Sequence, residues 1–163
     1  MARWLVGRGE LSADLGCGRF FLTTDAGDHD ESTGEVSWKE RPLHAPFELR
    51  FRVQRLGPET EKPIWVQILG AHLYFKPGEV TLWPHRKLSP QAGTRALAGY
   101  LPHDEHAVIV RQTSAAVEVR VDDRPPIVFA FAPGSETGRM AIGFNGARGY
   151  RSRLAFGDVS LRQ

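Results

Sequence analysis

HAVIVRQTSAAVEVRVDDRPPIVFAFAPGSETGRMAIGFNGARGYRSRLAFGDVSL, residues His106–Leu161, is the stretch that decides the fold. Val108 and Val110 share one phase, and Val117, Val119 and Val121 share another. Ile127, Phe129 and Phe131 follow, then Met140, Ile142 and Phe144. Turn residues separate each set. Apolar residues at every second position, repeated over successive short segments, describe antiparallel strands with one face on a core. At the C-terminal end the phase slips, since Leu154 and Phe156 agree while Val159 and Leu161 take the other parity. One extra residue at Gly157-Asp158, a β-bulge, returns both pairs to the same face.

Working outward, Phe47–Gln54 alternates Phe47, Leu49, Phe51 and Val53 against Glu48, Arg50, Arg52 and Gln54. One side is packed and the other is wet. Ile64–Trp83 reads as a three-stranded meander. Gly70-Ala71 fits a two-residue hairpin loop, and Pro77-Gly78 fits a type II turn. These turns predict Gln67 opposite Tyr74, Leu69 opposite His72, Tyr74 opposite Thr81 and His72 opposite Trp83. One face then collects Ile64, Val66, Ile68, Leu73, Phe75, Val80 and Leu82. The other collects Trp65, Gln67, His72, Tyr74, Thr81 and Trp83. Further strands are expected at Arg19–Thr23, Glu35–Glu40 and Arg95–Gly99. Helical periodicity is nearly absent, and Pro90 and Gly93 break its best candidate, Ser89–Gly99.

The 163 residues suit one domain, 1–163, with an all-β core. Charged residues make up 25% and apolar residues 41%, ordinary globular proportions. No apolar run approaches the ~20 residues that cross a bilayer as a helix. The N-terminal apolar run Trp4–Val6 is too short for an export signal, so the expectation is a cytoplasmic protein unless a leader was removed. A single cysteine, Cys17, excludes an internal disulfide and is expected to be a buried, inert thiol. The formal net charge is +2, and the basic residues of the second half are scattered over alternating strand positions. Without a concentrated basic stripe, nucleic acid is not an expected partner.

The order from His106 onward resembles the C-terminal half of concanavalin A-like lectin/glucanase domains, in the laminin-G-like and 3-keto-disaccharide-hydrolase-like branches. The residues that carry the resemblance are Val121-Asp122-Asp123, Thr137-Gly138-Arg139-Met140-Ala141-Ile142-Gly143-Phe144, and Leu154-Ala155-Phe156-Gly157-Asp158-Val159-Ser160-Leu161. Asp123 stands where those domains usually have a turn glycine. The match covers about a third of the chain, and Phe47–Gln54 is similar to a further strand. It implies a two-sheet antiparallel jelly-roll sandwich, and a ligand lying on the concave sheet. Galectins share Trp38, Glu40, Arg41, Pro46-Phe47 and Glu48-Leu49 in outline, but their "H-x-N-P-R" strand is missing. Family-16-type glucanases need "E-x-D-x-x-E" on one strand to set two carboxylates about 5–5.5 Å apart. Glu48 stands alone among arginines.

The expected ligand site is the aromatic face of the meander. Sugars lay apolar C–H faces on flat rings and need planar polar partners for their hydroxyls. Trp65, Tyr74 and Trp83 serve as platforms; Gln67, His72 and Arg50 serve as hydrogen-bonding groups. The function expected is non-catalytic glycan recognition by a lectin-like module. Alternatives are a protein-interaction or assembly subunit, including a homo-oligomer, and a glycoside-processing hydrolase built on Glu48, Asp122, Asp123 or Asp158. No cofactor is expected. The one ion suggested is a structural calcium held by Asp25, Asp28 and Asp30, with Asp158 from the C-terminal strand. His103-Asp104-Glu105-His106 is read as an exposed turn, since an i, i+3 pair shares a face on a helix but not at a strand's start.

Overall fold

The structure is a computed structural model that describes residues 4–14, 16–24, 33–38, 42–58, 60–85, 93–133 and 138–163. Among them are fourteen strands: β1 (Trp4–Arg8), β2 (Glu10–Asp14), β3 (Arg19–Thr23), β4 (Thr33–Trp38), β5 (Phe47–Leu56), β6 (Ile64–Ile68), β7 (Ala71–Lys76), β8 (Glu79–Pro84), β9 (Gly93–Ala96), β10 (His106–Gln112), β11 (Ala116–Val121), β12 (Ile127–Ala130), β13 (Ala141–Asn145) and β14 (Arg153–Arg162). They form two seven-stranded antiparallel sheets. The first runs β1-β4-β13-β6-β7-β8-β9, and the second runs β12-β11-β10-β5-β14-β3-β2. No helix in the described residues is long and apolar enough to cross a membrane.

The period-two pattern explains the packing. Val36, Val66, Leu73, Leu82 and Ile142 of the first sheet are fully buried against Leu49, Phe51, Val110, Val119 and Phe156 of the second. Each apolar position removed from water contributes about 25 cal/mol per Å². The expected bulge is present: β14 shifts register against β5 between Gly157 and Ser160, and Asp158 takes a left-handed φ of 50°. Val159 and Leu161 thereby pack on the core as Leu154 and Phe156 do.

Three sequence expectations are corrected. The β6–β7 turn is Leu69-Gly70 rather than Gly70-Ala71, so Gln67 faces His72 and Trp65 faces Tyr74. Gly70 supplies its positive φ of 70° at the second loop position. A distant residue fixes this choice: the buried Gln112 amide accepts from Leu69 N–H at 3.1 Å and donates to Leu69 O at 3.0 Å. Moving the turn by one residue shifts the pairing by two, so each side chain keeps its face. Cys17 is exposed, because it lies in the turn joining β2 to β3 at the sheet edge. His106 is buried, with Nδ1 2.8 Å from Asp122 Oδ2 and Nε2 2.8 Å from Leu101 O. β1 and β2 were not expected at all. They are short, mostly exposed edge strands whose sequences, WLVGR and ELSAD, carry little alternation.

Candidate functional site

Register places the meander's polar face in rows across the first sheet. One row runs Ser37, Ala141, Gln67, His72, Trp83. The next runs Glu35, Gly143, Trp65, Tyr74, Thr81, Thr94. Their companions Ile64, Val66, Ile68, Leu73, Phe75, Val80 and Leu82 all point into the core. Aromatic and hydrogen-bonding groups are therefore gathered on the sheet face turned away from the second sheet. Beside them opens a groove of about 970 Å³, bordered by Lys62, Pro63, Tyr74, Thr81, Trp83 and Asn145.

The three rings differ. Trp83 is 61% exposed, the largest exposure of any aromatic in the described core strands, while Tyr74 is half-buried on the same groove. Trp65 is only 6% exposed, although it lies outside the core cluster. Its indole covers Gly143, where a Cβ would meet Cζ2 at 2.2 Å, and its Nε1 donates to Asn145 Oδ1 at 3.2 Å. An indole on this face packs down because the neighbouring strand offers no side chain to hold it up. Trp65 thus supports the face rather than presenting a platform. Its ring meets the His72 ring edge-on at 5.4 Å, and His72 stacks on Tyr74 at 5.7 Å.

Burial, and after it the neighbouring His85, pushes the His72 imidazole down to about 4, so it is neutral at physiological pH. Burial also raises the Tyr74 phenol. A neutral imidazole, an amide and hydroxyls suit a polar uncharged ligand, with donors and acceptors available at once. Thr81 and Thr94 hydroxyls are hydrogen-bonded at 2.8 Å.

Not all expected residues meet here. Arg50 lies on β5 in the second sheet, and its Nε donates to Glu48 Oε1 at 2.6 Å. The carboxylates suggested for hydrolysis are there too. Glu48 pairs with Arg50 and Arg111, and Asp122 is held by His106 and Arg124. Asp123 is exposed on the hairpin after β11. Asp158 is 75% exposed and 3.1 Å from Arg52 Nε. It shares a small pocket of about 120 Å³ with Glu105, which is itself ion-paired to Arg19 and Arg52. Asp25, Asp28 and Asp30 lie outside the described residues. Among the described residues, no three histidine, cysteine or acidic side chains converge as a metal cluster.

Two participants were missed from sequence. Arg55 is 2% exposed, and its guanidinium donates to Asn145 O at 2.9 Å, Lys62 O at 2.8 Å and Pro63 O at 3.1 Å. It ties one wall of the groove to β13. The odd-numbered phase that places Arg55 with Phe51 and Val53 was the available signal, but a charge there reads as the strand's end. His85 is the other: its Nε2 is 2.9 Å from His72 Nδ1.

No family profile and no curated protein sequence matches this chain. Solved structures do share its fold. A native glycosidic hydrolase superposes with a TM-score of 0.72 at 10% identity, covering 98% of this chain and 89% of that one. A structure described with endo-acting O-glycanases of the human gut microbiota gives 0.71 at 10%, covering 99% and 92%. The Emp46p carbohydrate recognition domain, in a metal-free form, gives 0.65 at 9%, covering 98% and 88%. The fold is the concanavalin A-like jelly roll. At these identities the likeness concerns architecture alone.

Proposed function

We propose that this protein is a non-catalytic glycan-binding module, using the outer face of its first sheet. Trp83 stacks on the apolar face of a sugar ring and Tyr74 flanks it; His72 and Gln67 meet hydroxyls. Trp65, Asn145 and Arg55 hold the floor and wall in place. The observation that carries this reading is Trp83: a large ring left in water at the rim of a groove that also offers Tyr74, Thr81, Thr94 and Asn145 as hydrogen-bonding groups, with Glu61, Lys62, Lys76 and Glu79 along its border. Such a ring offers a broad apolar face together with a polar N–H, the combination a partner with both apolar and polar surfaces can use. The glycan-related names of the structural neighbours agree with this choice of ligand class.

A glycan array followed by calorimetry tests it. Millimolar binding corresponds to about −4 kcal/mol, within reach of one stacked ring and several hydrogen bonds. Trp83→Ala is expected to weaken binding roughly tenfold, about 1.4 kcal/mol, with thermal stability unchanged. No glycan binding by the wild type, or full binding by Trp83→Ala, overturns the reading.

A further inference from the structure

Two histidines meet at the edge of this face. His72 is held within β7. His85 follows β8, and its peptide N–H donates to Gly70 O at 2.8 Å, folding the chain back onto the β6–β7 turn. That backbone bond sets His85 Nε2 2.9 Å from His72 Nδ1, with ring centroids 4.8 Å apart and planes tilted by 58°. Two imidazole nitrogens facing each other share one proton, or offer two lone pairs when a cation takes that proton's place.

We propose that His72 Nδ1 and His85 Nε2 form a two-nitrogen site for a divalent transition-metal ion that favours right-angled ligands, copper(II) foremost. The separation decides between metals. With metal–nitrogen bonds of about 2.05 Å, nitrogens 2.9 Å apart subtend about 90° at the ion. Tetrahedral zinc needs them about 3.3 Å apart, so the rings would have to part by about 0.4 Å. Adjacent corners of a tetragonal complex suit copper(II) and nickel(II), and copper(II) binds nitrogen ligands more tightly than either nickel or zinc. His85 is exposed, so the ion has a path in from solvent. Gln67 lies directly across the strand pair from His72, and water completes the coordination. The site stands on the geometry of the pair, whether or not the face binds a sugar.

Titrating the chelator-treated full chain with copper(II), without glycan, tests it by electron paramagnetic resonance and visible absorbance. The expected result is one bound equivalent with coupling from two nitrogens. His85→Ala, at an exposed position that spares the core, should weaken binding at least about tenfold, the lower bound for losing even an outer-shell partner. His72→Gln should do the same, and circular dichroism verifies that both variants fold. His103→Ala should leave binding unchanged. Copper affinity that survives His85→Ala, or no stoichiometric binding by the wild type, overturns the proposal.

Discussion

A methyl group on Gly143 would sit 2.2 Å from Cζ2 of Trp65 and 2.5 Å from the carbonyl oxygen of Gly34. Neither neighbour has room to yield, since one is a buried ring and the other is backbone in the adjacent strand. Gly143→Ala is therefore expected to cost about 3 kcal/mol in urea unfolding, at the upper end for overpacking, and to red-shift tryptophan emission as Trp65 is lifted into water. Glu48 makes a different residue-scale argument. Arg50 and Arg111, each donating to its carboxylate, hold it down at about 2 against an ordinary value near 4.5. Between those values the unfolded chain binds the extra proton, so this stabilisation is complete above about pH 5 and disappears as pH falls toward 2. Both arginines are nearly half exposed, so water screens the pairs. Glu48→Gln should cost only about 1 kcal/mol at pH 7, and should flatten the loss of stability measured between pH 4.5 and 2.

At the scale of elements, Arg55 explains how an irregular segment becomes a rigid groove wall. Its guanidinium satisfies carbonyls of residues 62, 63 and 145 and lies 5.5 Å from the Phe144 ring centroid. Burial lowers it to about 10, so it remains a cation at neutral pH, balanced by carbonyl dipoles rather than by a carboxylate among the described residues. Arg55→Met keeps much of the volume but orphans three acceptors. It should destabilise by about 3 kcal/mol and speed amide exchange selectively at residues 60–62. The meander shows why elements were more legible than their joints. Parity along a strand is local, so Ile64–Leu82 sorted correctly between core and surface. The turn position depended on Gln112, 43 residues from Leu69, and no local pattern carries that bond.

For the whole molecule, alternation on most of the strands was enough to anticipate antiparallel sheet with one face on a core, and the family resemblance supplied the second packed layer that each apolar stripe needs. It was silent about which polar stripes become neighbours. The arginines look scattered along the chain, yet Arg50, Arg111, Arg120 and Arg162 occupy adjoining strands β5, β10, β11 and β14 on one face. Position along the chain hides this, since strand order rather than sequence order sets adjacency. The same limit concealed His85 beside His72 and left the groove's wall unseen. Trp83, by contrast, could be placed on the outer face of the meander from period two and the Pro77-Gly78 turn alone.

The two broad sides of the sandwich consequently differ in kind, one paved with guanidinium–carboxylate ladders and the other centred on rings, amides and hydroxyls with the Lys76–Glu79 pair at its border. Adsorbed to silica or a sulfonated bead, the protein is expected to settle with its arginines toward the support. Orientation then comes without a tag or a tether, and Trp83 is displayed to whatever flows past.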